Sequence, residues 1–185
     1  MLIDAMAHLN DPHTQDLESV LERAHAAGIT DIINAGVNPC TDLAVPNPRS
    51  PQIHKAYGIH PMVVGQVSLD VQLTALKTRL SEDNVVAMGE IGLDKRDGMP
   101  AMELQEAAFR AQLNLARQMN LPVILHAVKA SGPLLTILQE GPELPAGGVW
   151  HGYSGSIEVA KQSRLFKHIL VSTNDDVIVE VSKAC

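Results

Sequence analysis

Short apolar runs alternate along the chain with segments whose apolar residues recur at helical spacing. The first run, from Leu2 to His8, has strand character. From Asp16 to Ala27, Leu17, Val20, Leu21 and Ala24 share one helical face, and Gly28 supplies a stop. Strands are predicted over Asp31 to Gly36 and over His54 to His60. Between them, Pro39, Pro46, Pro48 and Pro51 exclude a long helix, because proline lacks the N–H and crowds the preceding turn. Leu69 to Leu80 predicts a helix, and Asn84 to Leu93 a fourth strand. The strongest helical pattern is Glu103 to Asn120, with Leu104, Ala108, Ala111, Leu115 and Met119 expected to face inward. Strands follow over Pro122 to His126, Gly147 to His151 and His168 to Ser172, with helices over Pro133 to Glu140 and Ile157 to Phe166. Asp175 to Ala184 suits a final helix, although Val177, Ile178, Val179 and Val181 equally suit a strand.

This alternation implies a parallel β/α architecture. A complete eightfold barrel needs about 250 residues, and this chain has 185. The expected fold is therefore a single domain over residues 1–185: a TIM-type β/α barrel, incomplete, with about seven strands and the last one absent.

Composition narrows the function classes. The formal net charge of −7 argues against a protein that coats nucleic acid non-specifically, although bound metal ions can supply local positive charge at a site. Cys40 and Cys185 form neither a disulfide framework nor a zinc-finger spacing. The first residues, MLIDAMAHLND, lack a basic region before an apolar run, and no stretch approaches the roughly 18 apolar residues of a membrane span. A cytoplasmic protein without membrane partners is expected.

Four polar residues recur where such a barrel builds its active site. His8, His126 and His151 end the first, fifth and sixth predicted strands, and Glu90 lies late in the fourth. The C-terminal strand ends of a β/α barrel converge on one mouth. A single histidine after a strand is an ordinary structural residue. Three of them with a carboxylate suit a divalent metal such as zinc, manganese or magnesium. His13, His25, His54 and His168 do not share this placement, and solvated or structural roles are expected for them.

At these residues the chain resembles the TatD family of metal-dependent deoxyribonucleases, within the amidohydrolase-like barrels. LIDAMAHLND resembles the family's opening D-x-H-x-H-L strand, YGIHP its G-x-H-P element, and MGEIGLD its G-E-I-G-L-D signature. QLNLARQMNLPVILH and WHGYSGS resemble two later segments in the same order. The resemblance implies that His8 binds one metal ion, that Glu90 bridges, that His126 and His151 bind a second ion, and that His60 contacts the substrate phosphate. Two departures stand out. Met6 occupies the place of the first metal-binding histidine, and no E-T-D-x-P segment supplies the family's catalytic aspartate, so the catalytic residue is unassigned. Asp175 and Asp176 follow the seventh predicted strand and are expected to be solvated or at a helix N-terminus.

Two functions follow from these expectations. One is a hydrolase that uses one or two divalent ions and water to cleave phosphodiester bonds of DNA or a small ester. The other is a catalytically impaired descendant that binds metal or a partner. A barrel lacking a strand also exposes sheet edges, so self-association is expected.

Overall fold

The computed structural model describes residues 2–12, 14, 16–41, 43, 51–156, 158–159, 168–171 and 179–182. His13, Asp175, Asp176, Cys185 and nearly all of the helix expected over Ile157 to Phe166 lie outside the described residues.

Six strands form one sheet: β1 (Leu2–Ala7), β2 (Ile29–Gly36), β3 (Gln52–Tyr57), β4 (Val85–Asp94), β5 (Val123–Val128) and β6 (Gly148–Trp150). They lie side by side in chain order, and every pairing is parallel. Parallel neighbours need a crossover between them, and the described helices lie in four of the five: α1 (Leu17–Ala26), α2 (Leu69–Arg79), α3 (Met102–Met119) and α4 (Ser131–Glu140). These are successive staves of a TIM-type β/α barrel. Among the described residues no helix is long and apolar enough to cross a membrane.

Local chemistry explains several boundaries. Asp16 caps α1 by accepting from the Ser19 N–H, and Ser68 caps α2 by accepting from the Val71 N–H. Asn120 closes α3 in the left-handed conformation that asparagine tolerates, with φ 52°. The main core lies between the sheet and α2, α3 and α4. There Tyr57, Met88, Ile91, Leu93 and Leu125 meet Leu76, Phe109, Leu113, Leu134 and Leu138. A second cluster, Ala35, Ala56, Ala87 and Ile124, is filled out by Met6, Ile33 and Val86.

The structure corrects the sequence reading in three places. The third strand ends at Tyr57, and Gly58 to His60 form an irregular segment leading into a 3-10 turn at Pro61–Val63. In α3, Leu104 is exposed, and the buried face carries Gln105, Ala108, Phe109, Gln112, Leu113, Leu115 and Ala116. Two glutamines occupy what an apolar pattern assigns to solvent. At the end of the chain, Val179–Ser182 is strand β8, the second of the two readings its sequence left open, as its β-branched neighbourhood favours. It pairs antiparallel with β7 (His168–Val171), so the seventh predicted strand forms a separate two-stranded sheet.

A polar cluster ties the N-terminal ends of the strands. His54 Nε2 lies 2.9 Å from Asp31 Oδ1, and His54 Nδ1 lies 2.8 Å from Asn84 Oδ1. Nearby, Lys55 Nζ and Arg79 reach the Glu82 carboxylate at 2.9 and 2.7 Å. The structural role expected of His54 is therefore filled by this cross-strand pair.

Candidate metal centre

Glu90 owes its position to an irregularity in the sheet. Between β4 and β5, Gly89 pairs with Ile124, but the next pair is Ile91 with Leu125. Glu90 is thus the extra residue of a bulge, a device that re-aims a side chain. The peptide bond between Gly89 and Glu90 is cis. Glycines make room for it: a Cβ on Gly58 would lie 2.6 Å from the Glu90 carbonyl oxygen, and one on Gly89 would lie 2.5 Å from the Ile124 Cβ. The Glu90 side chain is buried, with a fractional exposure of 2%.

His8 follows a similar irregularity in β1. Asp4 pairs with Ile32 but Ala7 with Asn34, so β1 carries an extra residue at Ala5–Met6. The turn beyond is held by buried Asn34, whose Oδ1 accepts from the Leu9 N–H at 2.9 Å and whose amide donates to Asn10 Oδ1 at 2.7 Å. His8 Nε2 reaches Glu90 Oε2 at 2.8 Å, and His8 Nδ1 lies 2.9 Å from the Ala35 carbonyl oxygen. A carbonyl only accepts, so Nδ1 carries a proton. The contact with Glu90 then draws a proton to Nε2 as well, and this bond raises the His8 pKa above the ordinary histidine value.

His126 stands across the same carboxylate, with Nδ1 3.6 Å from Glu90 Oε1 and Nε2 3.0 Å from Asp94 Oδ2. Burial acts to lower its pKa, but the two carboxylates outweigh burial and raise it. Burial acts to raise the Glu90 carboxyl, yet the imidazoles of His126 and His8 beside it hold it well below the usual carboxylate range. Glu90 Oε1 is left without a hydrogen-bond partner.

His60 packs edge-on to His126, with ring centroids 4.3 Å apart. Its Nδ1 accepts from the Met62 N–H at 3.1 Å. Burial pushes its pKa down to about 4, so it is neutral near pH 7 and its proton sits on Nε2. His60, Glu90 and His126 bring one ligand atom each to within 4.8 Å of one another. His151 lies at the same mouth, after β6, with its N–H on the Leu125 carbonyl at 2.9 Å. It is exposed, within electrostatic reach of Glu90, His8 and His126, but outside that converging group of three. Met6 is partly buried and packs against the alanine cluster.

Several supporting residues escaped the sequence reading. Buried Asp94 is gripped by the Arg96 guanidinium. Burial would raise its carboxyl, but Arg96 outweighs burial and holds it low. Gln105 pairs with the Asp94 backbone, accepting from its N–H at 2.8 Å and donating to its carbonyl at 2.9 Å. Gln112 does the same for Ile59, at 2.7 and 3.2 Å, and so fixes the segment carrying His60. The available signal was their seven-residue spacing on an otherwise apolar helix face.

These contacts test whether a metal ion belongs here. A buried carboxylate oxygen without a partner is costly. A cation held by this oxygen and the facing imidazole nitrogen would satisfy it, and imidazole with carboxylate suits a divalent ion. The residues fit one.

The model of the family described as TatD related DNase matches residues 3–183. The chain belongs to the TatD family. Its relatives include the metal-dependent hydrolases YabD of Bacillus subtilis (strain 168) and YjjV of Escherichia coli (strain K12). YabD is 35% identical over 88% of this chain and 64% of its own length. YjjV is 36% identical over 86% and 63%. A TatD of Pantoea ananatis, named a 3'-5' ssDNA/RNA exonuclease, is 36% identical over 77% of this chain and 56% of its own. The crystal structure of YjjV superposes with a TM-score of 0.76 at 33% identity, over 88% of this chain and 64% of that one. The chain thus spans a little under two thirds of the length of YabD and of YjjV.

Proposed function

We propose that this chain is a metal-dependent hydrolase that cleaves phosphodiester bonds in DNA or in a small ester. The observation that carries the reading is the buried, unpartnered Glu90 Oε1 facing His126 Nδ1 across 3.6 Å. Membership of the TatD family and relatives named as hydrolases and an exonuclease support it. In this reading Glu90, His126 and His8 hold a divalent ion (zinc, manganese or magnesium), with His151 joining from the rim. A divalent ion there supplies Lewis acidity, making water nucleophilic at neutral pH and offsetting phosphate charge. The chain's own residues bind and orient. Neutral His60 offers its Nε2–H to a phosphate oxygen, because its Nδ1 is already committed to the Met62 N–H. That makes His60 a better substrate donor than metal ligand. Lys95 and Lys129, exposed at the adjoining ends of β4 and β5, add positive charge at the mouth of an acidic protein.

The same reading treats residues 1–185 as one domain in the cytoplasm. It includes self-association through sheet edges. An impaired, non-catalytic descendant is less well supported, since Met6 removes one donor while Glu90, His126 and His8 remain assembled.

The test loads purified protein with zinc, manganese or magnesium and counts bound metal after desalting. Hydrolysis of single-stranded DNA and of a chromogenic phosphodiester is then followed with and without chelator. We expect about one ion or more per chain, and chelator-sensitive cleavage that falls at least on the order of 10²-fold in Glu90→Gln. Protein that retains no metal and cleaves neither substrate overturns the reading.

A further inference from the structure

The TatD-family resemblance assigns Asp94 no role, yet its surroundings are elaborate. It is fully buried, at 0% exposure. Its carboxylate faces three groups: the Arg96 guanidinium, with Nε 3.0 and 2.9 Å from the two oxygens, the Arg96 main-chain N–H, 3.0 Å from Oδ1, and His126 Nε2 at 3.0 Å. Its backbone is clamped on both sides by Gln105, whose amide also donates to the Pro100 carbonyl at 2.7 Å. Side chain and main chain are therefore both immobilised, and one carboxylate oxygen points at one nitrogen of a single imidazole.

The consequence lies in the hydrogens. A carboxylate paired to arginine is an acceptor only, so the nitrogen facing it must donate. In the neutral imidazole, the one proton then resides on Nε2, and Nδ1 is left with its lone pair. Nδ1 is the atom that faces the unpartnered Glu90 Oε1. In the neutral ring two electron-rich atoms confront each other there, which is unfavourable unless a second proton or a metal cation lies between them. With the other tautomer, Nδ1–H would point into the same gap and exclude a cation.

We propose that Asp94 is a positioning residue that locks His126 in the Nε2–H tautomer, reserving Nδ1 for the divalent ion. The inference rests on the metal-binding reading above. It adds the claim that the site's affinity depends on a residue that does not touch the ion. Histidine ligands whose second nitrogen donates to a carboxylate are better oriented and more basic, and loss of such a partner typically costs about 10–100-fold in metal affinity. Asparagine in place of Asp94 keeps the shape but can present an N–H donor to Nε2, which permits the wrong tautomer.

The first measurement needs no altered ligand. Long-range proton–nitrogen correlation spectra of the ¹⁵N-histidine-labelled, metal-free full chain are recorded above the pH at which His126 titrates. The His126 signals are assigned by their loss in His126→Gln. We expect a protonated Nε2 and an unprotonated Nδ1; a predominantly protonated Nδ1 overturns the proposal. The second measurement is calorimetric titration with zinc. Asp94→Asn is expected to bind about 10–100-fold more weakly, with a mixed or inverted His126 tautomer and unchanged circular dichroism. A folded Asp94→Asn that binds zinc within about twofold of the parent also overturns it. Should Asp94→Asn fail to fold, the parent spectrum alone decides. Should the parent bind no zinc, the proposed function fails while the tautomer still tests this inference.

Discussion

His60 packs edge-on against His126, yet their ring nitrogens are committed in opposite senses. A main-chain N–H occupies Nδ1 of His60, leaving a donor at Nε2; a carboxylate occupies Nε2 of His126, leaving Nδ1 toward Glu90. In the proposed reading, neighbouring imidazoles thus divide into one that would meet an anion and one that would meet a cation. Replacing His60 by glutamine should lower kcat/KM for a chromogenic phosphodiester on the order of 10²-fold, as loss of a charge-stabilising donor does. Zinc affinity by titration should hardly change; a parallel loss of affinity would make His60 a ligand instead. At this scale much of the site was legible in the sequence. His8, Glu90 and His126 are polar residues at the ends of apolar runs, and convergence of strand ends brings them together. The division of labour was not legible, because it depends on which nitrogen meets which partner. Asp94 was spelled out in the GEIGLD string but gave no sign that Arg96 and His126 both meet it.

Between elements, the polar clasp at the start of β2 and β3 governs how strand pairing responds to pH. The bond to Asp31 raises the His54 pKa above the ordinary value near 6.5, and the bond to His54 lowers that of Asp31 below about 3.8. A raised histidine pKa gives stability that is fully present below 6.5 and lost as pH rises through the folded value. A depressed aspartate pKa gives stability present above 3.8 and lost as pH falls through its folded value. The pair should therefore stabilise most between about pH 4 and 6.5. In thermal melts across pH, His54→Asn should be less stable than the parent within that window, and the gap should narrow in alkali. A gap independent of pH would show that the pair's charge does not matter. Helix α3 shows where an apolar pattern misleads about an element. Gln105 and Gln112 are buried because each amide supplies both a donor and an acceptor to an irregular backbone segment, so the inward face turns away from Leu104. Length and ends of that helix were readable within a residue; its facing was not, since letter-by-letter hydrophobicity places glutamine in water.

Across the molecule, the sheet has β1 at one side and β6 at the other, and neither pairs with a further strand among the described residues. Leu2 and Ile3 on β1 are 58% and 52% exposed, and Val149 on β6 is 43% exposed. Unpaired apolar edges invite another chain. Sedimentation velocity on the full chain should show dimers or larger species at working concentration, and Ile3→Lys should shift them toward monomer. A parent protein that sediments as a single monomer would contradict this. The parallel β/α order was legible because strand and helix periods alternate along the chain. The antiparallel pairing of β7 with β8 was not, because local propensity near Val179 fits either element and partner choice is a long-range property. One feature of the sheet also bears on how much the centre tolerates change. Gly58, Gly89 and Gly92 crowd the bulge so closely that a methyl group on Gly92 would fall onto the His126 carbonyl oxygen. The carboxylate at position 90 is consequently delivered with no slack, since the smallest enlargement at Gly58 or Gly92 displaces main chain. A redesign of the centre would therefore hold this strand fixed and vary residues nearer solvent, such as the exposed His151.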